Sequence, residues 1–344
     1  MINFFKDLYN FFLLSCLKNN LGFFCENENI YEYLKPYILN KSKKVNVTLI
    51  SFNYLRHNNK NVSQFVFKTT LIRQLVFLTL NLKYLYSSTP DLDKNIFKRS
   101  KTSNCKYIYL QHSMASITMI YNKGAFNNFD AIQAVTNYQF SEINEIKKTN
   151  KLKLRAFKSN YLFLKNKINT IDKRPYKDVL IAPSWNTNFY DLKLHIILNS
   201  FFKKNKISFD FRPHPMSLVK KEISLKELND LNISCNLNYD LNFFKYNFLI
   251  SDWSGIFIEF SLITKKKALL INTPQKILNN EYKKYSTKPA EIILRKSLAK
   301  DYDINNVSSL NHDILKQLKS DQIISGINKS FEIYSVNNFY FIFK

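Results

Sequence analysis

The stretch NFLISDWSGIFIEFSL, from Asn247 to Leu262, decides how the rest of the chain is interpreted. Its first residues are apolar and predict the end of a buried strand at Phe248–Ile250, and its last residues predict a helix over Ile256–Leu262. The residues between them, Ser251 to Gly255, are typical of a tight turn. A strand, a short turn and a helix in this order indicate an α/β domain.

The turn after this strand is a candidate anion site. Backbone N–H groups at a helix N-terminus have no partner within the helix, and the helix dipole favours negative charge there. We expect Ser254 to cap the helix, Gly255 to let a ligand approach the backbone, and Glu259 to reach a ribose hydroxyl from one helical turn further on. One such turn is equally typical of an ordinary capped helix, but two further strand ends carry similar polar clusters.

Two histidines follow predicted strands at those ends. His112 comes directly after the strand KYIYL, where an imidazole suits general-base chemistry on a hydroxyl group. Arg212 and His214 follow the strand at Ile207–Phe211, and prolines on both sides of His214 restrict its backbone. An arginine offers a planar fork to phosphate oxygens, and a protonated histidine stabilises a leaving phosphate. The structural alternatives are a histidine bonded to a loop carbonyl and an arginine paired with a surface carboxylate.

The composition fits a two-domain protein that handles anions. The chain has 344 residues, 45% of them hydrophobic, which is enough for two domains with their own cores. The net charge of +25 is partly explained by an AT-rich genome, which favours lysine at surface positions that tolerate it. This charge still attracts anionic substrates and anionic membranes. The four cysteines form no CxxC pair, which predicts a reducing, cytoplasmic location. The sequence demands no metal, and it lacks P-loop, GxGxxG and HExxH motifs.

The apolar N-terminal stretch, residues 2–17, predicts an amphipathic helix. Lys6 and Asp7 interrupt the apolar run and no small-residue cleavage site follows it, so it fits neither a signal peptide nor a membrane span. We expect this helix to pack on the core. The alternative is a position at a membrane surface, with the protein peripheral on the inner face of the cell membrane.

Strands and helices alternate along the chain, which predicts parallel sheets covered by helices. The predicted strands cover residues 45–52, 84–86, 106–110, 131–135, 178–182, 207–211, 248–250 and 268–271. The predicted helices beyond the N-terminal one cover residues 63–81, 140–147, 192–203 and 256–262. The Lys-rich stretch 151–177 carries few periodic signals, so the predicted domains are residues 1–165 and 166–344.

Three segments resemble the CDP-glycerol glycerophosphotransferase family, whose members build or prime teichoic-acid-type polyol phosphates. They are Gln111-His112, Arg212-Pro213-His214-Pro215, and Ser251–Gly255 followed by Phe257, Glu259 and Phe260. Their order and spacing agree with the family over roughly residues 80–280. The resemblance implies an α/β, GT-B-like architecture of two Rossmann-like domains with parallel sheets facing across a cleft. The first domain would serve the acceptor and the second would bind the nucleotide donor.

The resemblance also implies a role for each matching residue. His112 would be the catalytic base, and Arg212 and His214 would contact the donor pyrophosphate, with His214 assisting catalysis. The other donor-binding residues would be Ser251, Asp252, Ser254, Gly255 and Glu259. Two positions depart from the family pattern. The histidine is commonly followed by Gly but here by Ser113, and the turn commonly ends in Ser-Ser but here in Ser254-Gly255.

The implied reaction transfers a glycerol-phosphate unit from a CDP-activated donor to a hydroxyl of a lipid-linked or polymeric cell-surface glycan. CMP is released, and no cofactor is called for. The alternative within the same fold is a GT-B glycosyltransferase that uses a nucleotide sugar in capsule or lipopolysaccharide biosynthesis. A nucleic-acid-binding function rests on charge alone, and the sequence shows no helix-turn-helix, zinc or aromatic-stacking motif that would support it.

Overall fold

The computed structural model describes residues 2–17, 20–168, 176–238, 241–304, 307–318, 324 and 329–335. The strands in this part of the chain are β1 (Leu21–Cys25), β2 (Val47–Ser51), β3 (Val62–Val66), β4 (Tyr84–Ser87), β5 (Lys106–Tyr109), β6 (Ala131–Ala134), β7 (Arg155–Lys158), β8 (Lys177–Ile181), β9 (Phe209–Phe211), β10 (Tyr246–Ser251), β11 (Ala268–Ile271) and β12 (Ala299–Tyr302). The α-helices are α1 (Ile2–Cys16), α2 (Glu28–Ser42), α3 (Thr70–Thr79), α4 (Asn137–Thr149), α5 (Leu162–Ile168), α6 (Leu194–Lys204), α7 (Pro215–Val219), α8 (Leu225–Asp230), α9 (Ile256–Thr264), α10 (Ala290–Leu298) and α11 (Val307–Gln317).

The first seven strands form one parallel sheet in the order β3-β2-β1-β4-β5-β6-β7. The direction of strand addition reverses between β1 and β4, where Phe24 pairs with Ser87. Tyr37 of α2 packs with Leu49 and Ile108 of the sheet in a fully buried core. Strand β5, which leads to His112, therefore has a neighbouring strand on each side.

The last five strands form a second parallel sheet in the order β12-β11-β10-β8-β9. Ile250 in the middle of this sheet pairs with Ile181 on one side and Leu269 on the other. Phe202 of α6 and Phe211 of β9 fill the core beside them, and both are fully buried. Two all-parallel sheets with helices between their strands confirm the predicted α/β class.

The chain forms two compact units whose limits differ from the predicted domains 1–165 and 166–344. The first unit comprises the described residues within 1–112, 121–166 and 330–344, and the second those within 113–120 and 167–329. Residues 113–120 belong to the second unit because they are bonded to it. The Ser116 N–H donates to the Glu291 carboxylate at 3.0 Å, and the Asn279 amide donates to the Thr118 carbonyl at 2.8 Å. In the first unit, the Tyr334 N–H donates to the Val135 carbonyl at 2.9 Å.

The single helix predicted over residues 63–81 is wrong in its first third. Residues 62–66 form strand β3 beside β2, and helix α3 begins only at Thr70. The carboxylate of Asp7 explains the break, because it accepts the N–H groups of Lys68 and Thr69 at 2.8 and 2.6 Å. The Lys-rich stretch expected to be a boundary holds β7 and α5, although residues 169–175 lie outside the described part of the chain.

The expectation that the N-terminal helix buries its apolar side is also wrong. Helix α1 buries only Asp7 and Leu14. Its most exposed large apolar side chains lie at helical spacing on one stripe, namely Ile2 (85% exposed), Phe5 (62%), Tyr9 (64%) and Phe12 (65%). The side of α1 that carries Asp7 and Asn10 faces the rest of the unit. Asp7 accepts the N–H groups of Lys68 and Thr69, and the Asn10 amide donates to the Val66 carbonyl at 3.0 Å. These hydrogen bonds orient α1 with its polar side toward the unit, although its hydrophobic pattern predicts the opposite orientation.

Candidate functional site

The polar strand ends of the second unit lie beside a reversal of strand order. Strand β8 leads to β9 on one side, and β10 leads to β11 and β12 on the other. In open parallel sheets, ligands bind beyond the carboxyl ends of the strands at such a point. The residues that follow β8 and β10 are Ala182–Trp185 and Asp252–Gly255. The predicted turn therefore occupies the favoured ligand position of this sheet.

Asp252 fastens the turn to its neighbours. Its carboxylate is fully buried and accepts the Ser184 N–H at 2.7 Å, the Thr187 hydroxyl at 2.6 Å and the Thr273 hydroxyl at 3.3 Å. Burial raises the pKa of this carboxyl, and the hydrogen bonds from Thr187 and Ser184 oppose the rise. Asp252 is therefore a positioning residue that joins the loops after β8, β10 and β11.

Ser251 and Glu259 lie inside the unit as well. The Ser251 hydroxyl donates to the Ala182 carbonyl at 2.6 Å, which ties the end of β10 to the end of β8. Glu259 is buried in the first turn of α9. These positions support the shape of the turn, and the predicted contacts of both residues with a donor remain predictions.

The space beside Gly255 is occupied by the loop that contains Ser113 and Ala115, whereas the sequence predicts a ligand there. Gly255 is the N-cap residue of α9 and has an ordinary helical φ of −61°, so its backbone does not require glycine. A Cβ at this position would lie 2.8 Å from the Ser113 Oγ and 3.0 Å from the Ala115 Cβ. Ser254 is not the N-cap, and its Oγ lies 3.5 Å from the Ile256 nitrogen, a long distance for a capping bond.

The two departures from the family pattern meet at this contact. The pattern places Gly after the histidine and Ser at the end of the turn, whereas this chain has Ser113 and Gly255. The Ser113 hydroxyl now lies where a side chain at position 255 would begin. Because packed interiors tolerate exchanges that conserve volume, we expect the residues at positions 113 and 255 to be energetically coupled.

His214 is held in one orientation by its own helix. It is the N-cap residue of α7, and its Nδ1 accepts the Met216 N–H at 3.1 Å. An imidazole nitrogen that accepts a hydrogen bond carries no proton, so the neutral ring has its proton on Nε2. His214 is thus arranged as a neutral hydrogen-bond donor, whereas the sequence suggested a protonated ring.

Arg212 shares its guanidinium with the backbone. Its Nη1 donates to the carbonyl oxygens of Asn236 and Asn238 at 3.2 and 2.6 Å. These bonds fix the side chain beside the end of β9 and occupy one of its terminal nitrogens. The predicted contact of Arg212 with a pyrophosphate stays a prediction.

Three further side chains near the turn are not among the predicted site residues. Trp185 follows β8, and its ring centroid lies 6.3 Å from that of His214. The buried Lys276 places its Nζ 4.8 Å from the centre of the Trp185 ring. The guanidinium of the buried Arg295 lies 4.0 Å from the centre of the Trp253 ring, and its Nη1 donates to the Asp252 carbonyl at 2.8 Å. In a chain with 51 lysines and arginines, no local signal marks Lys276 and Arg295 as buried.

In the first unit, two tyrosines set the tautomer of His112. The Tyr109 hydroxyl donates to the Tyr121 oxygen at 3.2 Å, so its single proton is used there. The His112 Nδ1 lies 3.0 Å from the Tyr109 oxygen, and with the Tyr109 proton directed at Tyr121 we assign Nδ1 as the donor in that bond. The neutral ring then carries its lone pair on Nε2, as a general base requires. Tyr109 lies three residues before His112, a spacing that could have drawn attention to the pair.

The residue before His112 anchors its backbone. The Gln111 N–H donates to the side-chain oxygen of Gln133, and the Gln111 amide donates to the Gln133 carbonyl, both at 3.0 Å. Gln133 in turn donates to the Tyr37 hydroxyl at 3.0 Å. This buried network joins the end of β5 to β6 and α2, and it explains why a glutamine precedes the histidine.

The described residues hold neither a cluster of metal-ligating side chains nor a helix that could span a membrane. No group of three or more His, Cys, Asp or Glu side chains in that part of the chain is placed to hold a metal ion. Within the same residues, no helix has both the length and the apolar character needed to cross a membrane.

The chain matches no protein-family model and no curated protein. Solved structures do match its fold. A variant of the wall teichoic acid polymerase TagF soaked with CDPG gives a TM-score of 0.52 and 12% identity over 92% of this chain and 93% of that chain. Another TagF variant gives 0.50 and 11% over 96% and 95%. The lipopolysaccharide glycosyltransferase WaaG gives 0.46 and 8% over 87% and 90%.

At these identities the likeness shows the fold alone. The TagF structures cover nearly the whole of both chains, so the match includes both α/β units. The predicted GT-B-like class is confirmed in this respect. The identity of the donor and of the acceptor is a separate question.

Proposed function

We propose that the chain transfers a polyol-phosphate unit, with glycerol phosphate as the leading case, from a CDP-activated donor to a hydroxyl of a cell-surface glycan acceptor. The acceptor would be lipid-linked or polymeric. The geometry that carries the proposal is the pair of Nδ1 contacts, from which we assign opposite tautomers to the two strand-end histidines. His112 presents a lone pair on Nε2, and His214 presents a proton on Nε2. Attack by a hydroxyl on a phosphodiester anhydride needs one group of each kind.

In the proposed reaction, His112 takes the proton of the acceptor hydroxyl as its oxygen attacks the β-phosphorus of the CDP-polyol. The bond between the β-phosphorus and the bridging oxygen breaks, and CMP leaves with that oxygen. His214, Arg212 and the N-terminus of α9 would meet the charge that develops on the phosphate oxygens. Such catalysis relies on positioning and electrostatic stabilisation.

The resemblance of the three motifs to glycerophosphotransferases and the match to TagF support phosphate transfer over glycosyl transfer. The TagF structure soaked with CDPG has the same fold over 92% of this chain. Arg212, His214 and the turn Ser251–Gly255 follow strands β9 and β10 of the second unit. A nucleotide sugar would use the same strand ends, so the donor has to be identified by its product.

The test is the identity of the nucleotide released. Purified protein is incubated with CDP-glycerol, CDP-ribitol, or UDP-, GDP- and CMP-sugars, and a membrane extract supplies the acceptor. We expect CMP from a CDP-polyol only, and no release by His112→Ala. Release of UDP or GDP from a sugar donor, or of CMP from a CMP-sugar, would show glycosyl transfer and contradict the proposal.

We further propose that helix α1 brings the enzyme to an anionic membrane surface. Its outward stripe of Ile2, Phe5, Tyr9 and Phe12 is apolar, and Lys6 and Lys68 are exposed near it. Apolar burial and attraction of a chain with a net charge of +25 act together at an anionic bilayer. A lipid-linked acceptor would be found there.

Vesicle flotation tests the membrane proposal. The wild type should float with vesicles that contain phosphatidylglycerol and much less with phosphatidylcholine alone. The double variant Phe5→Ser/Phe12→Ser should lose flotation, whereas the control Val219→Ser, which removes an equally exposed apolar side chain from the second unit, should not. Flotation that survives the double variant, or a dimer that this variant dissociates, would contradict the proposal.

A further inference from the structure

Lys276 occupies an unusual place at the carboxyl edge of the second sheet. It follows strand β11 by five residues, and its side chain is only 7% exposed. The ammonium lies 4.8 Å from the centre of the Trp185 ring. Trp185 in turn neighbours His214, with ring centroids 6.3 Å apart. Lys276 is therefore linked through one indole to a residue of the proposed donor site.

The ammonium of Lys276 lacks the partner that a buried charge normally has. No hydrogen bond or ion pair joins its Nζ to any residue in the part of the chain that the structure describes. Burial lowers its pKa to about 8, and the carboxylates of Glu291, Asp252 and Glu222 oppose this. Burial of most of this side chain costs its charged form free energy, so the folded protein keeps the charge of Lys276 at a cost.

The carboxylates around Lys276 are engaged elsewhere. Asp252 accepts three hydrogen bonds from the loops after β8 and β11. Glu291 accepts the Ser116 N–H at 3.0 Å, and Glu222 accepts the Asn186 N–H at 2.9 Å. What the site lacks is an acceptor for the three N–H groups of the ammonium. Phosphate oxygens are the strongest such acceptors that a nucleotide offers.

We propose that Lys276 binds the pyrophosphate of the nucleotide donor, with its ammonium over Trp185 as the second cation of the site beside Arg212. The proposal rests on the proposed function only in that the ligand is a nucleoside diphosphate. It does not depend on the base or on the group transferred. A compact ammonium suits this role because it donates to several oxygens without demanding a planar arrangement.

The direct test is calorimetric binding to the full chain, with inorganic pyrophosphate, CDP and cytidine as probes. Lys276→Met keeps the length of the side chain and removes its charge. The matched control is Lys204→Met, which removes an exposed lysine at the C-terminus of α6, at the opposite edge of the sheet. We expect Lys276→Met to weaken pyrophosphate and CDP at least tenfold and to leave cytidine unchanged. Lys204→Met should change none of the three.

Two measurements separate this role from a structural one. Without ligand, Lys276→Met should unfold at the same or a higher temperature than the wild type, because an unpaired buried charge has been removed. CDP affinity of the wild type should fall as the pH rises above about 8, where Lys276 loses its proton, and this fall should be absent in the variant. The groups that face Lys276 are the carboxylates of Glu291, Asp252 and Glu222.

Several results would overturn the proposal. These are unchanged pyrophosphate and CDP affinity in Lys276→Met, an equal loss of cytidine affinity, a clear loss of thermal stability, or a wild type that binds neither phosphate probe. The proposed reaction can fail separately. If a UDP-sugar is the donor and Lys276→Met still weakens it, the role of Lys276 stands. If CDP-glycerol is the donor and Lys276→Met uses it with an unchanged KM, the reaction stands and the role of Lys276 does not.

Discussion

The histidines at positions 112 and 214 follow parallel strands in different units, and the bond at Nδ1 gives them opposite properties. His112 donates from Nδ1 to Tyr109, which places its lone pair on Nε2. His214 accepts at Nδ1 from the Met216 N–H, which places its proton on Nε2. The tautomer of His112 is set by tyrosine side chains, and that of His214 is set by a backbone N–H at the start of α7. One residue type at similar topological positions can therefore serve as a base in one unit and as a donor in the other.

The largest expected effect comes from removing the base. His112→Ala should lower turnover by about 10³-fold, within the range typical of a lost general base, while CDP binding stays unchanged. Initial rates of CMP release and calorimetry measure the two quantities. The exposed His312 on α11 provides the matched control, and His312→Ala should behave as wild type. Near wild-type turnover in His112→Ala would remove His112 from the mechanism.

His214 allows its structural and chemical roles to be separated. Asparagine is a good N-cap residue and alanine is a poor one. His214→Asn should therefore keep the thermal stability of the wild type, and His214→Ala should lose about 1 kcal/mol of unfolding free energy. Both variants lack the Nε2 proton, so both should lose about 10- to 100-fold in turnover. Full activity in His214→Asn would show that His214 acts only as a helix cap.

The contact between Ser113 and Gly255 tests how the residue after His112 supports the turn of the second unit. Gly255→Ala should lower the unfolding free energy by about 1–3 kcal/mol, because the new Cβ meets the Ser113 hydroxyl and the Ala115 Cβ. Adding Ser113→Gly should restore part of this loss, since it removes the nearer atom. Chemical denaturation of the two single variants and the double variant measures the coupling. Purely additive effects would mean that the two positions do not compensate each other.

The smallest effects should come from the tyrosines that set the tautomer of His112. Tyr109→Phe removes the acceptor of Nδ1 and should lower turnover by about tenfold, with the donor KM unchanged. Tyr121→Phe leaves Tyr109 with a proton to donate and should shift His112 toward the tautomer of His214, with a loss of a few-fold. Nitrogen chemical shifts of the His112 ring report the tautomer directly. An unchanged spectrum in both variants would show that Tyr109 and Tyr121 do not determine the tautomer of His112.

The sequence predicted the strand ends better than the elements between them. The apolar runs before Gln111, Arg212 and Asp252 each stop at a polar cluster, and each corresponds to a strand of the structure. Strand β1 and helix α2 were not assigned, and α2 contains Pro36, which argues against a helix interior. Strand β3 was taken for part of a helix, because the Asp7 side chain that separates it from α3 comes from about 60 residues away.

The candidate residues could be chosen from the sequence, but the contacts that each of them makes could not. His112, Arg212, His214 and the turn at 251–255 could be chosen from local motifs. The role of Asp252 depends on Ser184, 68 positions away in the chain, and no local pattern shows such a partner. The burial of Lys276 is likewise a tertiary property. The tautomers required the partners of each Nδ1 to be located in space.

The attachment of residues 113–120 to the second unit has a consequence for dividing the protein into fragments. A fragment that begins at Lys167 would leave the Glu291 carboxylate without the Ser116 N–H and the Asn279 amide without the Thr118 carbonyl. Limited proteolysis after His112 would divide the first unit between its residues 1–112 and 121–166, and it would leave the segment 113–120 bonded to the second unit. Chimeras that exchange the second unit would therefore need crossovers on both sides of this segment. A single crossover at the boundary predicted from the sequence would divide the second unit itself.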